Sequence, residues 1–239
     1  MTGPATVPFH SGLTPDTVID AAVRLSAGRH LFRWSIRDLA GQLGVAPSVI
    51  YHHVGGKDLL CRHVVERVVS EVRPPSARFG WARWFRTLLL DLRPILAGYP
   101  GTAKWLLMHG PTFPALLAVV DGGVEMLRRA GFGDRIGFAY GALINTALLT
   151  ISITDDRLDH EGDGPRDHAA MMDDFRREGA DSEGLSLIAA SLVVPFVAGA
   201  DEAEEQRDAF YRFMIDTVIA GLGRFATGSG TAARPSTRR

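Results

Sequence analysis

One cysteine in 239 residues, Cys61, excludes an internal disulfide and fits a reducing compartment. Charge is nearly balanced, 26 Lys and Arg against 27 Asp and Glu, so no global field marks the chain as a polyanion binder. The opening residues Met1–His10 have neither a basic start nor a continuous apolar run, so no signal peptide is expected and a cytoplasmic location is. No internal repeat is visible. Residues 58–226 hold no nucleophile–base pair, no Gly-rich phosphate loop and no metal-ligand box, so neither enzyme chemistry nor a cofactor or metal is expected. The acidic and imidazole groups His160, Glu161, Asp163, Asp167 and His168 match no ligand spacing. One stretch, 136–153, carries no charge over 18 positions, which reaches the threshold for a membrane span. Asn145 near its centre, several Thr and Ser, no aromatic belt and Asp155-Asp156 directly after it argue instead for a helix buried on two faces, with no membrane partner. One face would meet its own core and the other a second subunit.

What is present is concentrated in 35–57. Ser35 can cap a helix with Asp38 three residues on, and Ile36, Leu39, Ala40 and Leu43 recur at helical spacing. Gly44 follows where a left-handed residue ends a helix, Val45 can plug the corner, and Pro47 suits the first position of the next helix. Ile50 and Val54 point inward, which turns Ser48, Val49, Tyr51, His52 and His53 towards solvent or a flank. Gly55-Gly56 ends that helix and Lys57 opens another, where a cation opposes the macrodipole unless a phosphate sits there. Upstream, Thr14-Pro15-Asp16 starts a helix with Val18, Ala22 and Leu25 inside and Gly28 at its end. Two short helices at a fixed angle, braced by a third, suit insertion into a DNA major groove. Charge agrees: within 24–57 there are five basic residues to one acidic, whereas residues 74–239 carry 18 to 21.

The segment from about Thr14 to Leu60 resembles the DNA-binding head of the tetracycline-repressor (TetR) family. The matching pieces are Leu39-Ala40, Gly44-Val45, Tyr51-His52-His53-Val54 and Lys57-Asp58, in the family's order and spacing. The resemblance implies an all-α fold, a three-helix helix-turn-helix head followed by a helical bundle that binds ligand and dimerises. It places Arg37 and Pro47, Ser48 and Val49 at base-facing positions, and Tyr51, His53 and Lys57, flanked by His52, on the backbone side. Pro47-Ser48 departs from the tetracycline repressor, so the operator sequence does not carry over. The implied function is a ligand-responsive regulator, a repressor that releases a pseudo-palindromic double-stranded operator when a small apolar or aromatic effector binds. The competing reading is a helical small-molecule-binding protein or enzyme whose head is vestigial.

The chain divides into a disordered arm (1–13), a head (14–57), a body (58–226) and a Gly/Ser/Thr-rich disordered tail (227–239). Helices are expected over 58–72, with Leu59, Val64, Val65, Val68 and Val69 inward, and over 81–97, kinked or interrupted near Leu90 by Pro94. Further helices are expected near 103–108 and 113–130. Residues 154–184, eleven acidic to four basic, read as a solvated loop around a short helix at Met171–Arg177. Asp201 and Glu204 form a cap pattern for the last helix, whose apolar face includes Phe210, Phe213, Met214, Thr217, Gly221 and Leu222. A homodimer interface is expected from Ile136, Tyr140, Leu143 and Ala147 together with Phe210, Met214, Thr217 and Gly221. An effector pocket is expected from Trp105, Met108, His109, Phe113, Phe138, Asn145, Met172 and Phe175.

Overall fold

A computed structural model describes residues 13–160, 167–179, 181–192 and 200–227, all side chains among them except those of 168, 169, 192, 200 and 201. The expected arm and tail therefore fall almost wholly outside it, as do Glu161 and Asp163. Among the described residues there are eleven α-helices and no strand. They are α1 (Pro15–Gly28), α2 (Ile36–Leu43), α3 (Pro47–Val54), α4 (Lys57–Val69), α5 (Trp81–Ala97), α6 (Thr102–His109), α7 (Leu117–Arg129), α8 (Ile136–Asp159), α9 (His168–Glu178), α10 (Glu183–Leu192) and α11 (Ala200–Leu222).

The head folds as its caps dictate. Thr14 accepts from the Thr17 N–H at 3.2 Å, and Ser35 and Asp38 close a reciprocal capping box at the start of α2. Gly44 adopts φ 65°, and this left-handed turn lets its N–H return to the end of α2 while α3 departs. Val18, Ala22, Ile36, Leu39, Ile50 and Val54 form the inner seam, completed by Leu31 and Trp34 from the α1–α2 connection. The Trp34 indole donates to Ser26 Oγ at 3.0 Å, so its polar edge is satisfied inside the head.

The body corrects several expectations. Leu59 is exposed on α4, lying over the Gly55 turn, and Leu60 and Cys61 take the inward positions. Pro94 does not interrupt α5. It sits in the last turn, where one carbonyl partner is lost, and Arg93 next to it clamps that end to α11 through Glu204 at 2.7 Å and Asp208 at 3.6 Å. Glu204 also accepts from Arg207 at 3.0 Å, while the expected cap partner Asp201 has its side chain outside the described residues. The expected 113–130 helix starts as a 3-10 turn, Pro114–Leu116, before α7. The acidic stretch is mostly helical among the described residues, because α8 runs on to Asp159 and α9 and α10 follow.

Helix α8 is the spine of the body, packed on α5, α6, α7 and α11. Together with the turn before it (Gly133–Asp159) it is long and apolar enough to cross a membrane, its apolar 18-residue window having a mean hydropathy of 1.7. Here it buries Ala139, Leu143, Ala147, Leu148 and Ile151 against those helices. The Thr146, Thr150 and Thr154 hydroxyls donate to the carbonyls one turn back at 2.7–3.0 Å, which hides them from their surroundings. Where α7 crosses, Gly123 leaves no space: a Cβ there would lie 2.8 Å from Tyr140 and 3.0 Å from Phe85. Gly123→Ala is therefore expected to lower the melting temperature, since about 1–3 kcal/mol of overpacking outweighs the ~1 kcal/mol helix preference of Ala over Gly. An unchanged or raised melting curve would refute that.

Candidate nucleic-acid interface and effector cavities

One side of the head presents Arg37 from α2 and Pro47, Ser48, Tyr51 and His52 from α3, all exposed, with Val49 and His53 half-buried beside them. Tyr51 is 54% exposed, which a phenol on a buried seam would not be. The two imidazoles stand edge to face at 5.6 Å. On α3 these residues are left outside because Ile50 and Val54 are the two drawn into the core. An arginine from α2 with hydroxyls and imidazoles from α3 can donate to base edges and phosphates.

Lys57 behaves differently. It is half-buried, donates to the Leu31 carbonyl at 2.9 Å and stands over the Trp34 ring. Burial pulls its ammonium down to about 8, with the Cys61 thiol and Asp38 opposing that fall. Burial pushes the Cys61 thiol up, which leaves it a poor nucleophile.

The joint between head and body was not legible in the sequence. Leu31 N–H donates to the Pro100 carbonyl at 2.8 Å, and Arg33 pairs with Asp159 at 2.5 Å. His30 is buried on Gly101, and its Nε2 faces Asp156 Oδ1 at 3.4 Å without a hydrogen bond. Desolvation holds the His30 pKa below the ordinary imidazole value, against the pull of Asp159 and Asp156. Asp155 is buried too and accepts from the Gly101 N–H at 2.9 Å; burial raises its carboxyl to about 7. An open cavity of about 440 Å³ lies here, lined by His30, Phe32, Arg33, Lys104, Met108, Asp156, Asp159 and His160.

The expected effector residues are not brought together. Trp105 and Phe113 are core, with His109 stacked on Trp105 at 4.2 Å and its Nδ1–H directed to the Trp105 carbonyl. Arg62 of α4 lies over Phe113, so this trio is packing between the body and α4. Met108 faces the head–body cavity, Phe138 is 83% exposed, and Met172 and Phe175 pair within α9 and α10. Met172 and Phe175 line a separate cavity of about 290 Å³ between α9 and α10, and Asn145 lines two others beside α8. The inner one, about 150 Å³, is walled by Val69, Leu92, Leu106, Leu116, Tyr140, Ile144 and Leu148 among others. The outer groove, about 410 Å³, runs between α8 and α11 past Leu149, Ile153, Arg157, Gln206, Phe210 and Met214.

The α8 residues of the expected dimer face lie inward in the subunit to different degrees. Leu143 and Ala147 are fully buried in the subunit, and Tyr140 packs on Phe85 at 5.8 Å while Ile136 is half-buried against the core. Helical phase decides this: Phe138, Leu149, Ile153 and Leu158 are the large apolar groups that α8 leaves outside. On α11, Phe210, Thr217 and Gly221 are exposed and Met214 half-buried, with Phe213 64% exposed beside them.

No protein-family model matches the chain. Comparison with solved structures gives its fold: ActR of Streptomyces coelicolor, a TetR-family protein solved in complex with actinorhodin, superposes with a TM-score of 0.67 over 92% of this chain and 100% of that one, at 21% identity. The chain has the TetR-family fold. A TetR variant from Acinetobacter baumannii in complex with minocycline shares that fold, with a TM-score of 0.62 at 20% identity over 90% of this chain and 99% of that one. An HTH-type transcriptional regulator of Saccharopolyspora erythraea is 26% identical over 175 residues, 73% of this chain and 74% of its own. The transcriptional repressor DrrR1 of Streptomyces coeruleorubidus is 31% identical over 126 residues, 51% of this chain and 46% of its own. In the TetR-family fold of this chain, the exposed face of α3 and the cavities around α8 are the two candidate sites.

Proposed function

We propose that this chain is a transcriptional regulator that binds double-stranded DNA as a homodimer and releases it when a small apolar or aromatic molecule enters the body. The observation that carries the reading is α3: a short helix launched from the capped α2 by the left-handed Gly44 turn and held by a buried seam, with its polar and aromatic residues turned outward. Arg37 and Pro47 to Val49 read base edges, and Tyr51 and His53 hold the backbone. Both curated relatives carry names of the same class.

The effector site is the pair of cavities that meet at Asn145. The inner one alone is below the roughly 300–1,000 Å³ of an ordinary ligand site, whereas the outer groove reaches that range. Apolar walls with Asn145 and Arg157 from α8 and Gln206 and Arg207 from α11 suit a flat molecule with polar edges. The neighbours solved with actinorhodin and minocycline make a polycyclic aromatic the first class to test. A second copy of the chain, seated on the exposed apolar faces of α8 and α11, would cover this groove, because Phe210 and Met214 belong to both surfaces. Effector occupancy and the spacing of the two recognition helices are thereby linked. That spacing must match half-sites about 34–36 Å apart, or a multiple of it.

Two experiments test this. Selection of duplexes from a random pool is expected to enrich an inverted repeat; a pool that stays random sinks the DNA-binding reading. Phe213→Asp is expected to weaken self-association in sedimentation at least tenfold, about 1.4 kcal/mol, while leaving subunit helicity intact. An unchanged dimer would move the interface elsewhere.

A further inference from the structure

Lys57 connects two parts of the molecule that the DNA-binding reading treats separately. Its ammonium is held by the Leu31 carbonyl at 2.9 Å and by the face of Trp34, whose indole is anchored through Ser26 Oγ to the Ala22 carbonyl. Leu31 is wholly buried, and its N–H donates to Pro100 in the α5–α6 connection. The next residue, Gly101, sits at φ 88° with its N–H on Asp155 of α8, and a Cβ there would lie 2.7 Å from the His30 ring. Contacts therefore run from α8, which lines both effector cavities, through 100–101 and Leu31 to the first residue of α4. That residue follows the recognition helix by only the Gly55-Gly56 turn. Both lysines of the chain stand at this joint, since Lys104 pairs with Asp156 at 2.8 Å.

We propose that Lys57 is a two-position residue, parked on Leu31 and Trp34 in the free protein and moved onto a phosphate in the DNA complex, with the Leu31–Pro100 joint setting how readily it leaves. The proposal rests on the DNA-binding reading above. Parking withholds one cation from the DNA, so a body state that tightens the joint lowers DNA affinity. The parked site is only partly desolvated, and the groups that face it are the Cys61 thiol, the Asp38 carboxylate and the Arg29 guanidinium. A phosphate at the start of α4 offers the ammonium a full counter-charge beside free N–H groups, which makes the outward position competitive once DNA is present.

Having two lysines makes the test direct. Full-length protein carrying carbon-13-labelled lysine gives two side-chain signals, assigned with a Lys104→Arg variant. In the free protein the Lys57 signal is expected to be displaced by the Trp34 ring current and to titrate near 8. Saturation with a duplex enriched from a random pool is expected to abolish the displacement and raise the titration towards that of an ordinary lysine. Trp34→Phe, which weakens the parking face, is expected to raise duplex affinity roughly two- to fivefold, and to do nothing in a Lys57→Met background. An ordinary Lys57 signal in the free protein overturns the parked position. A signal that stays displaced at DNA saturation, as judged by anisotropy, overturns the movement alone. Failure of any duplex to bind overturns the DNA-binding reading and this proposal together.

Discussion

Ile50→Ala is expected to abolish DNA binding by loosening the head, without touching a single DNA-facing group. Ile50 has no exposed surface and lies where α3 meets α1 and α2. Truncating a fully buried isoleucine costs about 2–5 kcal/mol, a large share of the roughly 5–15 kcal/mol that holds an average domain together. The head is small and its seam is made of few large side chains, so little repacking is open to it. Val49→Ala, one residue away and half-buried on the outer face, serves as the contrast: it leaves the melting curve in place and changes which duplexes are preferred. Thermal melts followed by circular dichroism, paired with duplex titrations, separate the two. An Ile50→Ala protein that melts like wild type and still binds would refute the packing account of the head.

The second large effect lies at the joint. Asp155 is 5% exposed and its carboxyl is raised to about 7, first by burial and then by Asp156, against the Gly101 N–H and Arg93. An unfolded aspartate loses its proton near pH 4, whereas the folded one keeps it until about 7. The folded state therefore binds more protons in that interval, and stability falls as pH rises through it, by an amount on the order of 2 kcal/mol. Asp155→Asn keeps an acceptor for Gly101 and removes the buried charge. The variant is expected to melt roughly 4–8 °C above wild type at pH 8, with the gap closing towards pH 4–5. A gap that does not change with pH would mean that Asp155 carries its charge at no cost.

The head was legible because its signals are local. A cap at Ser35, a left-handed turn at Gly44, a proline at Pro47 and an apolar rhythm of three to four residues each act within a few positions, and α1, α2 and α3 stand where those signals place them. Helix α11 was legible for the same reason, since Phe210, Thr217 and Gly221 share one exposed stripe. Helix α8 was not. A segment apolar on every side has no phase, so its inward Leu143 and Ala147 are indistinguishable by type from its outward Phe138 and Leu149. The effector residues failed on a related point: Trp105 and Phe113 are the kinds of side chain that line cavities, and they are also the kinds that fill them. Asp155 and the His30–Gly101 contact were hidden in an acidic run and a short connection, and only the tertiary approach of α8 to the α5–α6 loop gives them a role.

The measurement that bears most directly on the central claim is a fluorescence-anisotropy titration of the full chain against a duplex enriched from a random pool. It would be run at two salt concentrations and in the presence of excess unrelated DNA, comparing wild type with Tyr51→Ala and Arg37→Ala. Saturable binding that survives the competitor, weakens with salt, and falls at least tenfold in each variant is the predicted result. Binding that is equal in all three proteins, or lost entirely to the competitor, would contradict a DNA-reading face on α2 and α3.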